Sequence, residues 1–157
     1  MEDLSKKFSL ERCTSCGACT RVCPFVPGMD LAPGATVERV LAGDLDEVFR
    51  RRGIWLCSSC GACTRECPVG IDVLGMLEAL RREAYRRGLL GDRAIAKFHE
   101  LFARDAFQRG RVREGRTVLA VRIRYGGVFP RGGLGLALLV KGKLGKVFGG
   151  RTAWGPP

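Results

Sequence analysis

Cys13-Thr-Ser-Cys16-Gly-Ala-Cys19-Thr-Arg-Val-Cys23-Pro24 returns almost letter for letter as Cys57-Ser-Ser-Cys60-Gly-Ala-Cys63-Thr-Arg-Glu-Cys67-Pro68, and the two runs hold all eight cysteines of the chain. Three cysteines at two-residue spacing, then a fourth one residue further off and followed by proline, form the ligand pattern of a [4Fe–4S] cluster. The first three wrap one loop around three irons of a cubane. The fourth points elsewhere, and in two-cluster ferredoxins it ligates the other cluster. This assigns Cys13, Cys16, Cys19 and Cys67 to one cluster, and Cys57, Cys60, Cys63 and Cys23 to the second. The exchange staples two distant segments together.

Eight cysteines also suit a disulfide framework or a pair of structural zinc sites. Zinc sites use two Cys-x-x-Cys pairs or cysteine with histidine, a looser pattern than three cysteines in seven residues plus Cys-Pro, present twice. Disulfides need an oxidising compartment, and the N-terminal Met1-Glu-Asp-Leu-Ser-Lys-Lys-Phe8 has no apolar export segment. The expected location is the cytoplasm.

At 157 residues the chain suits one domain, or one domain with an arm. Few long apolar stretches surround the cysteines, so metal binding is expected to contribute directly to folding, and the iron-free protein to be largely disordered or aggregated. The net charge of +11 is uneven: residues 1–103 carry 15 Lys/Arg against 14 Asp/Glu, and residues 104–157 carry 12 against 2. We therefore divide the chain into a cluster domain, 1–103, and a basic, glycine-rich extension, 104–157, that docks on a partner. A basic segment attracts nucleic acid, anionic membranes or acidic proteins. Arg111, Arg113, Arg116, Arg122 and Arg124 come without interleaved aromatics or a reading motif, which argues against nucleic acid. The longest apolar stretch, Leu134-Gly-Leu-Ala-Leu-Leu-Val140, falls far short of the roughly 20 residues of a spanning helix. No transmembrane segment is expected.

Between the runs, Pro27-Gly28 and Pro33-Gly34 punctuate the chain. Thr36 is placed to cap a helix with Val37, Val40 and Leu41 on one face, and Gly43-Asp44 breaks the pattern before Leu45, Val48 and Phe49 restart it. After the second run Asp72 caps a helix carrying Val73, Leu77, Leu80 and Ala84 at helical spacing. Arg81, Arg82, Arg86 and Arg87 load its far half, and Gly88 ends it. A further helix is expected from Asp92 to Gly110 with Ile95, Phe98, Phe102 and Ala106 on a single face. Val118-Leu-Ala-Val-Arg-Ile-Arg-Tyr125 reads as helix or strand, with helix preferred. From about Gly126 the chain is glycine-rich, with Leu134 to Val140 flanked by Lys141, Lys143 and Lys146 as a docking element. The fold class is mainly α: an α-helical ferredoxin with two [4Fe–4S] clusters and a basic C-terminal extension.

The chain resembles the HdrC family, the small iron–sulfur subunits of heterodisulfide reductase and their relatives in sulfur and electron-bifurcating systems, over roughly residues 10–147. Besides the cysteine runs, the resemblance is carried by Ile54-Trp55-Leu56, Phe98-His99-Glu-Leu-Phe102, Gly110-Arg111-Val112-Arg113-Glu114 and Lys141-Gly142-Lys143-Leu144. It implies an α-helical ferredoxin working inside a complex. Electrons would come from an HdrA-like partner carrying flavin and iron–sulfur clusters. They would pass to an HdrB-like partner, whose paired CCG motifs bind the clusters where a disulfide is reduced. This chain has no cysteine after Cys67, hence no CCG motif and no spare thiol nucleophile. It would have no activity alone.

Individual residues read more plainly. Trp55 is expected to pack around a water-excluding site, and His99, the only histidine, to be structural or interfacial. Gly17-Ala18 and Gly61-Ala62 let each loop bend tightly with amides aimed at sulfur. Pro24 and Pro68 fix the chain leaving each fourth ligand. Three functions fit: relay within a heterodisulfide-reductase-like complex, a free diffusible dicluster ferredoxin, or a non-redox module presenting a basic tail. The basic extension speaks against the second, since a diffusible carrier would offer an acidic docking face.

Overall fold

A computed structural model of the chain describes residues 4–125. The expected docking element at 134–140 and the resembling segment at 141–144 lie outside the described residues. Every regular element among the described residues is a helix, in agreement with the mainly α expectation. The chain forms two compact units, Met1–Asp92 and Arg93–Pro157.

In the first unit, the short helix α1 (Leu4–Lys7) and a 3₁₀ turn at Leu10–Arg12 lead into the first cysteine run, which contains α2 (Ala18–Arg21). A 3₁₀ turn at Val26–Gly28 follows, then α3 (Pro33–Leu41), α4 (Leu45–Arg50) and α5 (Gly53–Leu56). The second run contains α6 (Ala62–Arg65) and feeds α7 (Val73–Arg87).

The start of α3 differs from the sequence expectation. Pro33 takes the first helical position, where its missing N–H has no intrahelical partner to lose. Thr36 is therefore an interior residue, completely buried, with its hydroxyl donating to the Ala32 carbonyl at 3.0 Å. Leu41, expected on the apolar face, is exposed. Asp72 behaves as expected, its side chain accepting from the Gly75 N–H at 2.9 Å. Gly88 closes α7 in the left-handed conformation at φ 69°.

These helices enclose one apolar core. Leu10, Val48, Phe49, Ile54, Met76 and Leu80 are completely buried, with Val37 and Val73 nearly so. Each such side chain contributes about 1.5–3 kcal/mol on removal from water. Leu10 lies three residues before Cys13 and Ile54 three before Cys57, so the core fixes the approach to both runs. Trp55, 2 % exposed, packs there as expected. The Arg87 guanidinium sits 5.2 Å from the Phe49 ring centre, tying α7 to α4.

The second unit contains α8 (Arg93–Arg109) and α9 (Glu114–Tyr125), which pack against each other. Position 103/104, where the charge balance changes, lies inside α8, so the charge boundary and the packing boundary differ. The segment 118–125 is helical, as preferred from sequence. Of the apolar face expected for α8, Ile95, Phe98 and Ala106 are half-buried and Phe102 is exposed, while the fully buried residues of the helix are Ala96 and Asp105. The Asp105 carboxylate serves the link between the two helices. It accepts from Arg109 Nη1 and from the Arg113 N–H, the latter at 3.4 Å.

Candidate metal centre

Each cysteine run begins by leaving the core in extended conformation, at Cys13 after Leu10–Arg12 and at Cys57 after α5. It then makes the same bend twice. Ser15 and Ser59 take positive φ of 51° and 58°, and Gly17 and Gly61 follow at 72° and 73°. A left-handed conformation costs a non-glycine residue about 1–2 kcal/mol, so the two serines mark matching points of strain. No sequence signal announces this, because serine is not a residue that favours the left-handed region.

The bend is clamped by side chains from the Thr-Arg pair after the third cysteine. Arg21 Nη1 donates to the Cys16 carbonyl at 2.8 Å, and Arg65 Nη1 to the Cys60 carbonyl at 3.1 Å. Thr20 Oγ1 accepts the Gly34 N–H at 3.0 Å, and Thr64 Oγ1 accepts the Leu74 N–H at 2.9 Å. Each run is thereby pinned to the first turn of a helix, α3 or α7. Thr64 also donates to the Asp72 carboxylate at 3.1 Å. The repetition of Thr-Arg at one offset was the available sequence signal for these roles. Asp30 had none: its carboxylate accepts the N–H groups of Arg52 and Gly53 at 3.1 and 2.8 Å, reaching from the first run's exit to the second run's entrance.

The eight sulfurs surround two cavities. Cys13, Cys16, Cys19 and Cys67 line the first, of about 280 Å³, together with Arg21, Gly34 and Glu38. Cys57, Cys60, Cys63 and Cys23 line the second, a tighter space of about 20 Å³, with Phe25, Met29, Leu74 and Leu77. His99 lines neither; it is half-buried, its ring edge-on to Phe98 at 6.0 Å.

The thiols of each run fall into two kinds. Cys16 and Cys60 are exposed. Their thiols are held below the ordinary range, chiefly by the backbone N–H of Ala18 and of Ala62, with Thr14 and Arg21 or Ser58 and Arg65 helping. Burial pushes the thiols of Cys19 and Cys63 up.

The donor set fits an iron–sulfur cubane. Four thiols and no histidine border each cavity, the donor set that Cys₄ ligation requires. Among the described residues, no three His, Cys, Asp or Glu side chains converge on a single metal ion.

Residues 9–71 match the family model of the 4Fe-4S dicluster domain. A search of the curated proteins found no match to the chain. The match spans both cysteine runs and ends at Ile71, just before the Asp72 cap of α7, so α7 to α9 lie beyond the dicluster domain. The eight cysteines fit two 4Fe-4S clusters. The domain carries an electron-transfer role, and no helix among the described residues is long and apolar enough to cross a membrane.

Proposed function

We propose that the chain is the electron relay of a cytoplasmic heterodisulfide-reductase-like complex, standing between a flavin-bearing iron–sulfur partner and a CCG-domain catalytic partner. Cys13, Cys16, Cys19 and Cys67 hold one cluster, and Cys57, Cys60, Cys63 and Cys23 the other. The supporting observation is the grouping of the eight sulfurs around two cavities, three from one run and the fourth from the other in each case. Every thiol is then committed to a cluster, none is left as a nucleophile, and the chemistry on substrate belongs to a partner.

Each cluster, when bound, takes up and releases single electrons. The chain's own residues do the rest. Arg21 and Arg65 hold the exposed ligand loops, Thr20 and Thr64 dock them on helices, and Phe25, Met29, Leu74 and Leu77 keep water from the second site. Membership of a complex is favoured by the second unit, where Phe107 is 90 % and Ile123 63 % exposed among the basic residues of α8 and α9. Apolar side chains so exposed suit a protein interface.

Anaerobic affinity isolation of the tagged native protein, with mass spectrometry of its companions and iron and sulfide analysis, tests this reading. About eight irons and eight sulfides per chain, with a CCG-domain protein in stoichiometric amount, are expected. A monomer with both clusters would make the chain a free carrier. A chain without iron would overturn the redox reading altogether.

A further inference from the structure

The internal repeat breaks down at one atom beside the clusters. Ile71 donates its backbone N–H to Cys67 Sγ at 3.3 Å. The two runs remain equivalent up to the preceding residue: Gly70 N–H donates to the Cys67 carbonyl at 3.1 Å, and Val26 N–H to the Cys23 carbonyl at 3.4 Å. At the next position the first run has Pro27, which carries no N–H. Cys23 therefore cannot receive the bond that Cys67 receives.

From this we infer that the two cluster sites have different reduction potentials, the site of Cys13, Cys16, Cys19 and Cys67 being the more positive. The inference rests on the crossed ligand assignment proposed above. Reduction adds negative charge to a cluster that its thiolates already make anionic, and a donor aimed at a ligand sulfur stabilises that added charge. The surroundings act in the same direction. Arg21 and the hydroxyls of Thr14 and Thr20 line the first cavity, with Glu38 the opposing charge. Around the second stand Phe25, Met29, Leu74 and Leu77, with Ser58 in the place of Thr14 and no charged side chain among the described residues lining it, and Cys63 is only 7 % exposed. An apolar, water-poor site disfavours the more highly charged state.

A protein given one electron consequently holds it at the site containing Cys67. Within the relay, an electron arriving at the site containing Cys23 runs downhill to the other. One electron leaves the site containing Cys23 and the same electron enters the site containing Cys67, with no proton needed for balance. Pro27 and the Ile71 amide thus act as positioning residues for the direction of flow.

Redox titration of the holoprotein with dithionite, followed by electron paramagnetic resonance, tests this in wild type, Pro27→Ala and Ile71→Pro. Wild type should show two midpoints. Pro27→Ala restores an N–H beside Cys23 and should raise the lower midpoint alone, changing its one-electron equilibrium at least threefold, about 28 mV at 59 mV per decade. Ile71→Pro should lower the upper midpoint, and if that variant does not fold, Pro27→Ala decides. A Pro27→Ala protein whose lower midpoint stays put, or whose upper midpoint moves instead, overturns the inference. Iron content distinguishes this from failure of the two-cluster reading, which would show as fewer than about eight irons in wild type.

Discussion

Thr20 Oγ1 accepts the backbone N–H of Gly34 at 3.0 Å, and a Cβ built on Gly34 would lie 2.8 Å from that oxygen and 3.6 Å from Cys19 Sγ. The first cysteine run and the first turn of α3 therefore touch through backbone, and only glycine leaves room. In the second copy the matching bond runs from Leu74 N–H to Thr64 at 2.9 Å, where a side chain is tolerated.

Gly34→Ala isolates this contact. Alanine is the better helix former by about 1 kcal/mol, so propensity alone would stabilise α3. The steric conflict acts against it, and overpacking of this kind costs about 1–3 kcal/mol. We expect a net loss of stability and reduced retention of the cluster near Cys19, read by thermal melting and iron content. A more stable variant with full iron would show that Thr20 simply moves aside.

Asp30 supplies a second long-range tie. Helix α5 is a single turn too short to persist alone, and its N-terminal amides at Arg52 and Gly53 are met by a carboxylate more than twenty residues earlier. Gly53 lies so close to the Leu31 carbonyl that an added Cβ would sit 2.3 Å from its oxygen. Asp30→Ala should cost about 1–2 kcal/mol, the range for lost capping groups. Asp30→Asn, which keeps an acceptor, should recover part of it. Equal melting of all three proteins would remove the capping role.

What the sequence revealed and what it hid divide along physical lines. The cysteine spacing is imposed by the cluster itself, so the two-cluster content was legible, and α7 was legible because Asp72, the spaced apolar residues and Gly88 agree. The entry to α3 was not: Thr36 is a good cap by type, but Pro33 starts the helix one turn earlier. The burial of Asp105 in α8 was hidden because apolar spacing does not register a carboxylate, and its bonds to Arg109 and Arg113 form only in the folded helix pair. The Asp30 tie and the left-handed serines depend on chain segments brought together only by folding.

The crossed ligation proposed above has a direct consequence for single substitutions. Cys23 lines the cavity of Cys57, Cys60 and Cys63, and Cys67 lines that of Cys13, Cys16 and Cys19. Cys23→Ala should therefore damage the signal that a Cys60→Ala change also removes, and Cys67→Ala the signal removed by Cys16→Ala. Paramagnetic resonance of the four reduced variants makes the comparison. Pairing of Cys23→Ala with Cys16→Ala instead would mean that each run binds its own cluster.

Iron removal puts the apolar core against the loops it cannot hold alone. Helices α2, α5 and α6 have four residues each, and Ser15 and Ser59 are held at positive φ; without a cluster these segments lack any large stabilising term. The remaining elements, α3, α4 and α7, share Val37, Val48, Phe49, Met76 and Leu80. That core is small, and its closing residues Leu10 and Ile54 are attached to the loops that loosen. Anaerobic chelation should therefore abolish the cooperative melting of the first unit and lower the helical circular dichroism, with recovery on reconstitution by iron and sulfide. A cooperative transition that survives iron removal would show that the five shared side chains are enough, and that the clusters are seated on a fold already formed.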